Sequence, residues 1–306
     1  MTRKNNPNYD IRIPEWNQPD PWFQFGEAVR NGTLLGGKLP WRVAPEDKRV
    51  SVHGQASTCD ALLNVYPDAI EVGAPAGTPE MTFMLPFFAI VGLLSVGLVG
   101  WINVSIFSDL IAADELSWPD LIFLCFSLSA LVIFFLATVL FFKIAFFTPR
   151  DIPVLFNRST GEVSFFSVIP VRFWEFWKKV GVDPAQTCKW DDLRARSYKM
   201  TEFTGSAGRE SHLLALLWGE PDDPRQCKEI VTIGYKGWWE DELLWRLYEH
   251  IRRYMEEGGP PIQPGESLRI SGTGRLPAFP PEIVAAAGGP ALSAEEVHRL
   301  AGQAVA

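Results

Sequence analysis

The sequence predicts an α+β protein in which a two-helix transmembrane hairpin is inserted into a β-rich domain closed by one amphipathic C-terminal helix. Three observations predict it. Residues 81–108 and 121–142 carry no charged side chain. Short segments with strand-like alternation occur on both sides of that pair. Near the end, Leu243, Leu244, Leu247, Ile251 and Tyr254 recur at helical spacing.

Composition excludes several classes before any element is placed. With 306 residues, 47 % hydrophobic and 21 % charged, the chain is no disordered tract, collagen-like repeat or disulfide-dense mini-protein. A net charge of -8 and a pI near 5.2 argue against a general nucleic-acid binder. Half of that charge comes from Asp109, Asp114, Glu115 and Asp120, which bounds what overall acidity says about a partner.

The leading region, residues 1–80, is predicted to be cytoplasmic and to pack on the soluble domain. Its opening is broken by Pro, yet Trp16, Trp22, Phe23 and Phe25 are too many aromatics for a free tail. KRVSVHG (48–54) and DAIEVG (68–73) read as short strands.

Residues 81–104 and 121–147 form the two spans. At about 1.5 Å rise per residue, roughly 20 residues cross a ~30 Å hydrocarbon layer, so both runs are long enough. A soluble core helix keeps a polar stripe, which neither run has. The first run begins too far along the chain for a signal peptide. Trp101 and Trp118 suit the interface at the ends facing the loop. Gly92, Ser95, Gly97, Gly100 and Ser127 offer small faces for helix contact. Neither span holds an ionisable group, which favours an anchor over a pump or channel.

Orientation follows from the flanks. The acidic loop, residues 105–120, has no Lys or Arg, while Lys143, Arg150 and Arg158 follow the second span. The positive-inside rule places both termini in the cytoplasm and, in a bacterium, the loop in the periplasm of a multi-pass inner-membrane protein.

Residues 148–258 form the β-rich cytoplasmic domain. Ile152–Phe156 and Glu162–Val168 flank Asn157–Gly161, a hairpin signal. Further strands are expected at Val171–Phe176, Leu193–Phe203, His212–Trp218 and Glu229–Tyr235, with a tight turn at Pro221–Pro224. The helix runs from about Trp238 to Glu257, with acidic residues in its first turn and arginines later, matching its dipole. Gly258 to Pro261 stop it. Residues 259–306 read as a mobile Pro/Gly/Ala-rich tail ending in a short helix capped by Ser293 and Glu296. Strands followed by one amphipathic helix is the order of pleckstrin-homology-like domains, an analogy of architecture that carries no function.

Catalytic and metal signatures are few. Cys59, Cys125, Cys188 and Cys227 are far apart and free of zinc spacing, so free thiols are expected. The four histidines are equally scattered, and no motif for a cofactor, nucleotide or small-molecule substrate occurs. Ser271–Gly274 is glycine-rich without a strand before it, which suits a linker. Asp191–Asp192 could pair as carboxylates or sit on a solvated turn. The expectation is a non-enzyme without cofactor or metal.

The aromatics stand out instead. Trp174, Phe176 and Trp177 with Lys178 and Lys179 form one cluster, and Trp238, Trp239 and Trp245 with Arg246 a second. Three readings apply: they fill a small core, they form a partner surface rich in Trp and Arg, or RFWEFWKK rests on anionic headgroups.

LPWRVAPEDKR, the hairpin, DIPVLFNRSTGEVSFF, KWDDLRA and LYEHIRRYMEEGG occur in this order over residues 35–260. The arrangement resembles a family of bacterial inner-membrane proteins often encoded beside type VI secretion effectors. Some of its members are similar to immunity proteins such as TsiT, which protects its producer against a nuclease toxin. The resemblance implies a membrane-anchored immunity protein that binds and neutralises a cognate toxin, and it supplies no catalytic residue. The alternative is a membrane-bound scaffold or lipid-binding module of a secretion or envelope assembly.

Overall fold

The structure, a computed structural model, describes residues 10–26, 38–73, 79–112, 117–147, 149, 151–167, 169, 177, 181–203, 208–234, 240–269 and 276–303. The chain is α+β and divides into two compact units. One comprises residues 1–76, 150–167 and 184–306, the other residues 77–149 and 168–183.

The second unit is dominated by α1 (Pro79–Ala112) and α2 (Trp118–Phe147). Both helices run past the expected spans. α1 continues to Ala112, so much of the expected 105–120 loop is helical. No Gly or Pro interrupts residues 105–112, so nothing local breaks the hydrogen-bond ladder there.

The first unit contains two antiparallel sheets. One has the order β2 (Leu62–Val65), β3 (Ala69–Val72), β4 (Val154–Asn157), β5 (Glu162–Phe165), β6 (Gln186–Lys189). The other has the order β1 (Pro40–Val43), β7 (Arg194–Phe203), β8 (Gly208–Gly219), β9 (Cys227–Ile233). Strands from before the hairpin thus pair with strands from after it: Ile70 opposes Phe156 and Val43 opposes Arg196.

The β4–β5 hairpin forms where the turn chemistry places it. Asn157 Oδ1 accepts the Ser159 N–H at 3.0 Å, and Gly161 takes φ +67°, a conformation that favours glycine. β3, β7, β8 and β9 also match expected strands, whereas β1, β2 and β6 are additional. The strand expected at Val171–Phe176 lies outside the described residues. The one expected over 48–54 does not form; only His53 makes a bridge, to Ile11. Its backbone bonds are taken elsewhere: the Val52 N–H donates to Glu249 Oε2 at 3.0 Å.

The two sheets share one core with α3 (Asp241–Glu256). Phe165 of β5 stacks on Trp218 of β8 at 5.1 Å between ring centroids. Leu244, Trp245, Leu247, Tyr248, Ile251 and Tyr254 enter the same core. The helix is not half solvated, as an amphipathic pattern would suggest. Asp241, Glu242, Glu249 and Arg252 are buried as well, under chain from the amino-terminal side of the hairpin. Gly258 ends the helix at φ +65°, and the Gly259 N–H donates to the Arg253 carbonyl.

The described part of the tail is anchored to the core at several points, where a mobile linker was expected. Ile262 and Ala287 are fully buried, and Val297 and Ala301 nearly so. The Arg269 and Leu292 N–H groups donate to the Leu62 and Val65 carbonyls of β2, both at 2.7 Å. A sheet edge exposes unpaired carbonyls, and here the tail satisfies them. The tail adds α4 (Pro281–Ala286) and α5 (Ala294–Gln303). The expected capping box opens α5: the Ser293 N–H donates to Glu296 Oε2 at 2.8 Å, and the Glu296 N–H to Ser293 Oγ at 3.3 Å.

Candidate functional site

Two helices are long and apolar enough to cross a membrane, over Pro86–Asp109 and Trp118–Phe147. Their outward side chains are lipid-like: Leu94 is 70 % exposed and Phe126 72 % exposed.

The contact between α1 and α2 uses only part of the expected small-residue set. Gly92 faces Thr138, and a Cβ there would lie 2.5 Å from Thr138 Oγ1. Ser127 Oγ donates to Asn103 Oδ1 at 2.7 Å, and both residues are buried. Gly97 and Gly100 face open space, and Ser95 bonds to the Val91 carbonyl of its own helix. Asn103 was not anticipated as a contact. The signal available was a lone amide among apolar residues, which lipid disfavours unless it is paired.

Trp174, Phe176, Lys178, Lys179, Trp238 and Trp239 lie outside the described residues, as does Ser271–Gly274. Trp177 is 67 % exposed and belongs to the unit that contains the two apolar helices. Trp245 is a fully buried core residue, its Nε1 donating to Asp241 Oδ1 at 3.1 Å. Arg246 is half-buried and donates through Nη2 to Glu242 Oε1 at 3.1 Å, one turn back on α3.

The densest chemistry lies beneath α3. Arg42 Nε lies 2.5 Å from Asp241 Oδ2, and Arg42 Nη1 also bonds the Ile13 carbonyl. His53 is fully buried; its Nδ1 accepts the Gln55 N–H and its Nε2 sits 2.7 Å from Glu242 Oε1. Both ring nitrogens are thereby bonded within the fold. Burial alone would raise the Glu249 carboxyl, but donors on Arg252, Arg253 and the Val52 N–H hold it down at about 2. Burial lowers the His250 imidazole to about 4. These groups bind one another and hold the fold together.

The thiols are unactivated. Burial pushes Cys59 up to about 11 and Cys227 up to about 12, and raises Cys188 too, so each stays protonated at neutral pH. All four cysteines are free. Asp191 and Asp192 are exposed in the turn between β6 and β7. Among the described residues no group of three or more His, Cys, Asp or Glu side chains could hold a metal ion.

A different surface is assembled on the outer side of the four-stranded sheet, around residues 20–25. Phe23 packs with Tyr198, Ala215, Leu217 and Cys227, beside half-buried Trp22, Phe25, Leu213 and Ile230. The Arg194 and Arg225 guanidiniums lie over the Trp22 ring, 5.2 and 5.8 Å from its centroid. Arg196, on the same side of β7, is paired with Asp20 at 2.8 Å. Sequence reasoning recognised that Trp22, Phe23 and Phe25 must pack, but the register of β7 brings Arg194 to them and the turn between β8 and β9 brings Arg225.

The model of a protein family described as a family of unknown function (DUF6708) matches residues 131–273, a stretch from within α2 to the tail beyond α3. No curated protein and no solved structure matches the chain.

Proposed function

We propose that this chain is a membrane-anchored binding protein of the bacterial inner membrane. Its role in this reading is that of an immunity protein, which binds and neutralises a cognate type VI secretion toxin. One observation carries the anchoring: a helix pair whose outward surface is apolar and whose contacts are internally satisfied. Both termini lie in the cytoplasm and the acidic turn in the periplasm, as the charge asymmetry favours.

The non-catalytic reading is supported by how the polar groups of the soluble unit are used. His53, Glu242, Glu249 and Arg252 are bonded to each other and to backbone, and the thiols stay protonated. An immunity protein needs a complementary surface and the right compartment, and no active site. Two antiparallel sheets with one long helix support a pleckstrin-homology-like reading of this unit.

Co-expression with the toxin encoded beside the gene is the test. Growth should be restored and the two proteins should co-purify from membranes; failure to protect against any adjacent toxin would sink the immunity role. Alkaline phosphatase fused between α1 and α2 should be active, and inactivity there would overturn the topology.

Exposed Trp177, in the unit of the apolar helices, favours a second reading as a lipid-binding scaffold. Flotation of the chain lacking both helices with phosphatidylglycerol vesicles separates the two. Absence of flotation removes the lipid version, provided the deleted chain melts cooperatively.

A further inference from the structure

We propose that the outer face of the four-stranded sheet, around Trp22, Arg194 and Arg225, is a docking surface for an acidic segment of a partner protein. It deepens the proposed function, since it rests on reading the soluble unit as a binding module, and it names where the partner sits.

The argument starts from donors left without acceptors. Strand alternation puts Arg194, Arg196 and Tyr198 on one face of β7. Asp20 serves the middle residue: it takes Arg196 Nε through Oδ2 and the backbone N–H groups of Trp22 and Phe23 through Oδ1. No acidic residue among the described ones pairs with Arg194 or Arg225. Arg194 Nε is buried without a hydrogen-bond partner, and so is the hydroxyl of Tyr198, a residue only 1 % exposed. Buried donors in native proteins are nearly always satisfied. Tyr198 lies too deep beneath Phe23 to meet a partner, so the groups an outside acceptor can reach are the half-buried Arg194 and the exposed Arg225.

The kind of acceptor follows from the charges. Two guanidiniums resting on one indole offer forked donors of the kind that take a planar oxyanion bidentately. The neighbouring surface discriminates between sources. Half-buried Phe25, Leu213 and Ile230 form an apolar floor beside the arginines, which fits side chains of a protein and not a sugar-phosphate backbone. Asp222 and Asp223 are exposed on the turn that carries Arg225, and Asp223 Oδ1 caps the Arg225 N–H and not its guanidinium. Those two carboxylates repel a dense polyanion while leaving the arginines able to take one or two isolated carboxylates. The Trp22 indole N–H is already fixed, donating to the Pro224 carbonyl at 3.2 Å, so the platform is preorganised.

The full chain in phosphatidylcholine nanodiscs provides the test, with three fluorescein-labelled probes in low salt. These are a 12-residue peptide with spaced Glu and Leu residues, its Gln-for-Glu twin, and a 12-nucleotide single-stranded DNA. The acidic peptide should bind, the twin and the DNA should not, and raising salt should weaken binding. Arg225→Gln, at an exposed position, should weaken peptide binding by about tenfold, as the loss of one charge-assisted contact. Arg194→Gln with Arg225→Gln should abolish it, with the melting temperature recorded to show that the variant is folded. No binding of the acidic peptide, equal binding by Arg225→Gln, or tighter binding of the DNA would each overturn the surface. The toxin-protection assay run in parallel keeps the two proposals apart. Protection without peptide binding removes this surface alone, and peptide binding without protection removes the immunity role alone.

Discussion

Arg42 and Asp241 lie 199 positions apart, one before and one after the two apolar helices in sequence, and form a buried ion pair with Nε 2.5 Å from Oδ2. Asp241 is also the acceptor for the indole N–H groups of Trp41 and Trp245, both at 3.1 Å. The first turn of α3 is therefore a hub that binds chain from before the hairpin. Acidic residues there complement the helix dipole, as their position suggests, but Asp241 is held by a guanidinium and two indoles, and Glu242 by His53 and Arg246.

Removing one member of such a pair leaves the other charge buried. Arg42→Ala is expected to destabilise the soluble unit by about 3–5 kcal/mol, far more than a surface pair would cost. Asp241→Asn in the same chain should restore part of the loss, because the stranded carboxylate disappears. Urea unfolding of single and double variants measures this; a single-variant loss below about 1 kcal/mol would refute the hub.

Acid should unfold this unit in two stages. The folded His250 imidazole is lowered to about 4 from an ordinary 6.5, so the unfolded state binds its proton first. That contribution is complete above pH 6.5 and is lost as pH falls towards 4. Glu249 is likewise depressed, to about 2 from 4.5, so its contribution is present above 4.5 and is lost as pH falls towards 2. Each group steepens the stability slope by up to about 1.4 kcal/mol per pH unit within its window. His250→Gln should flatten only the upper stage and Glu249→Gln only the lower. Denaturant midpoints between pH 7 and 3 check this, and unchanged slopes would contradict it.

What was legible in the sequence followed from local chemistry. The two long apolar helices are visible because long runs of the chain carry no charge, and the β4–β5 hairpin because Asn157 and Gly161 each have a local backbone role. β6, reading Gln-Thr-Cys-Lys, shows no apolar alternation, because it is an edge strand with no buried residue and only Cys188 packed against the core. The tail misled for a related reason. Pro, Gly and Ala rule out long elements, but they say nothing about whether the chain lies against a sheet edge, as Arg269 and Leu292 do. At Trp22 only the packing of the aromatics was legible, because Arg194 and Arg225 reach it from β7 and from the turn between β8 and β9, far away in sequence.

Because the tail covers the β2 edge, its apolar anchors should matter as core residues do. Ile262 is fully buried in the main core, so Ile262→Ala is expected to cost about 2–4 kcal/mol. Gly265, at φ +75° with open space around it, is a useful contrast: Gly265→Asn should change stability little, because Asn tolerates that backbone. Thermal melts of both variants decide the point, and a silent Ile262→Ala would return the tail to the status of a loose linker.

The pair of apolar helices separates two kinds of glycine. A side chain at Gly92 would collide with Thr138, whereas Gly97 and Gly100 have nothing within reach of a Cβ. Gly92→Leu should therefore push α1 and α2 apart, and Gly97→Leu should leave them together, although composition makes the two positions equivalent. Asn103→Ala removes the acceptor of the Ser127 hydroxyl and should weaken the pair by about 1 kcal/mol, in line with hydrogen bonds between membrane helices. SDS titration of the full chain, followed by energy transfer between dyes at the two ends of the hairpin, gives the midpoint for each variant. If Gly97→Leu shifts it as far as Gly92→Leu does, a second surface of α1 is engaged in the membrane and the helix pair is not the whole of the contact.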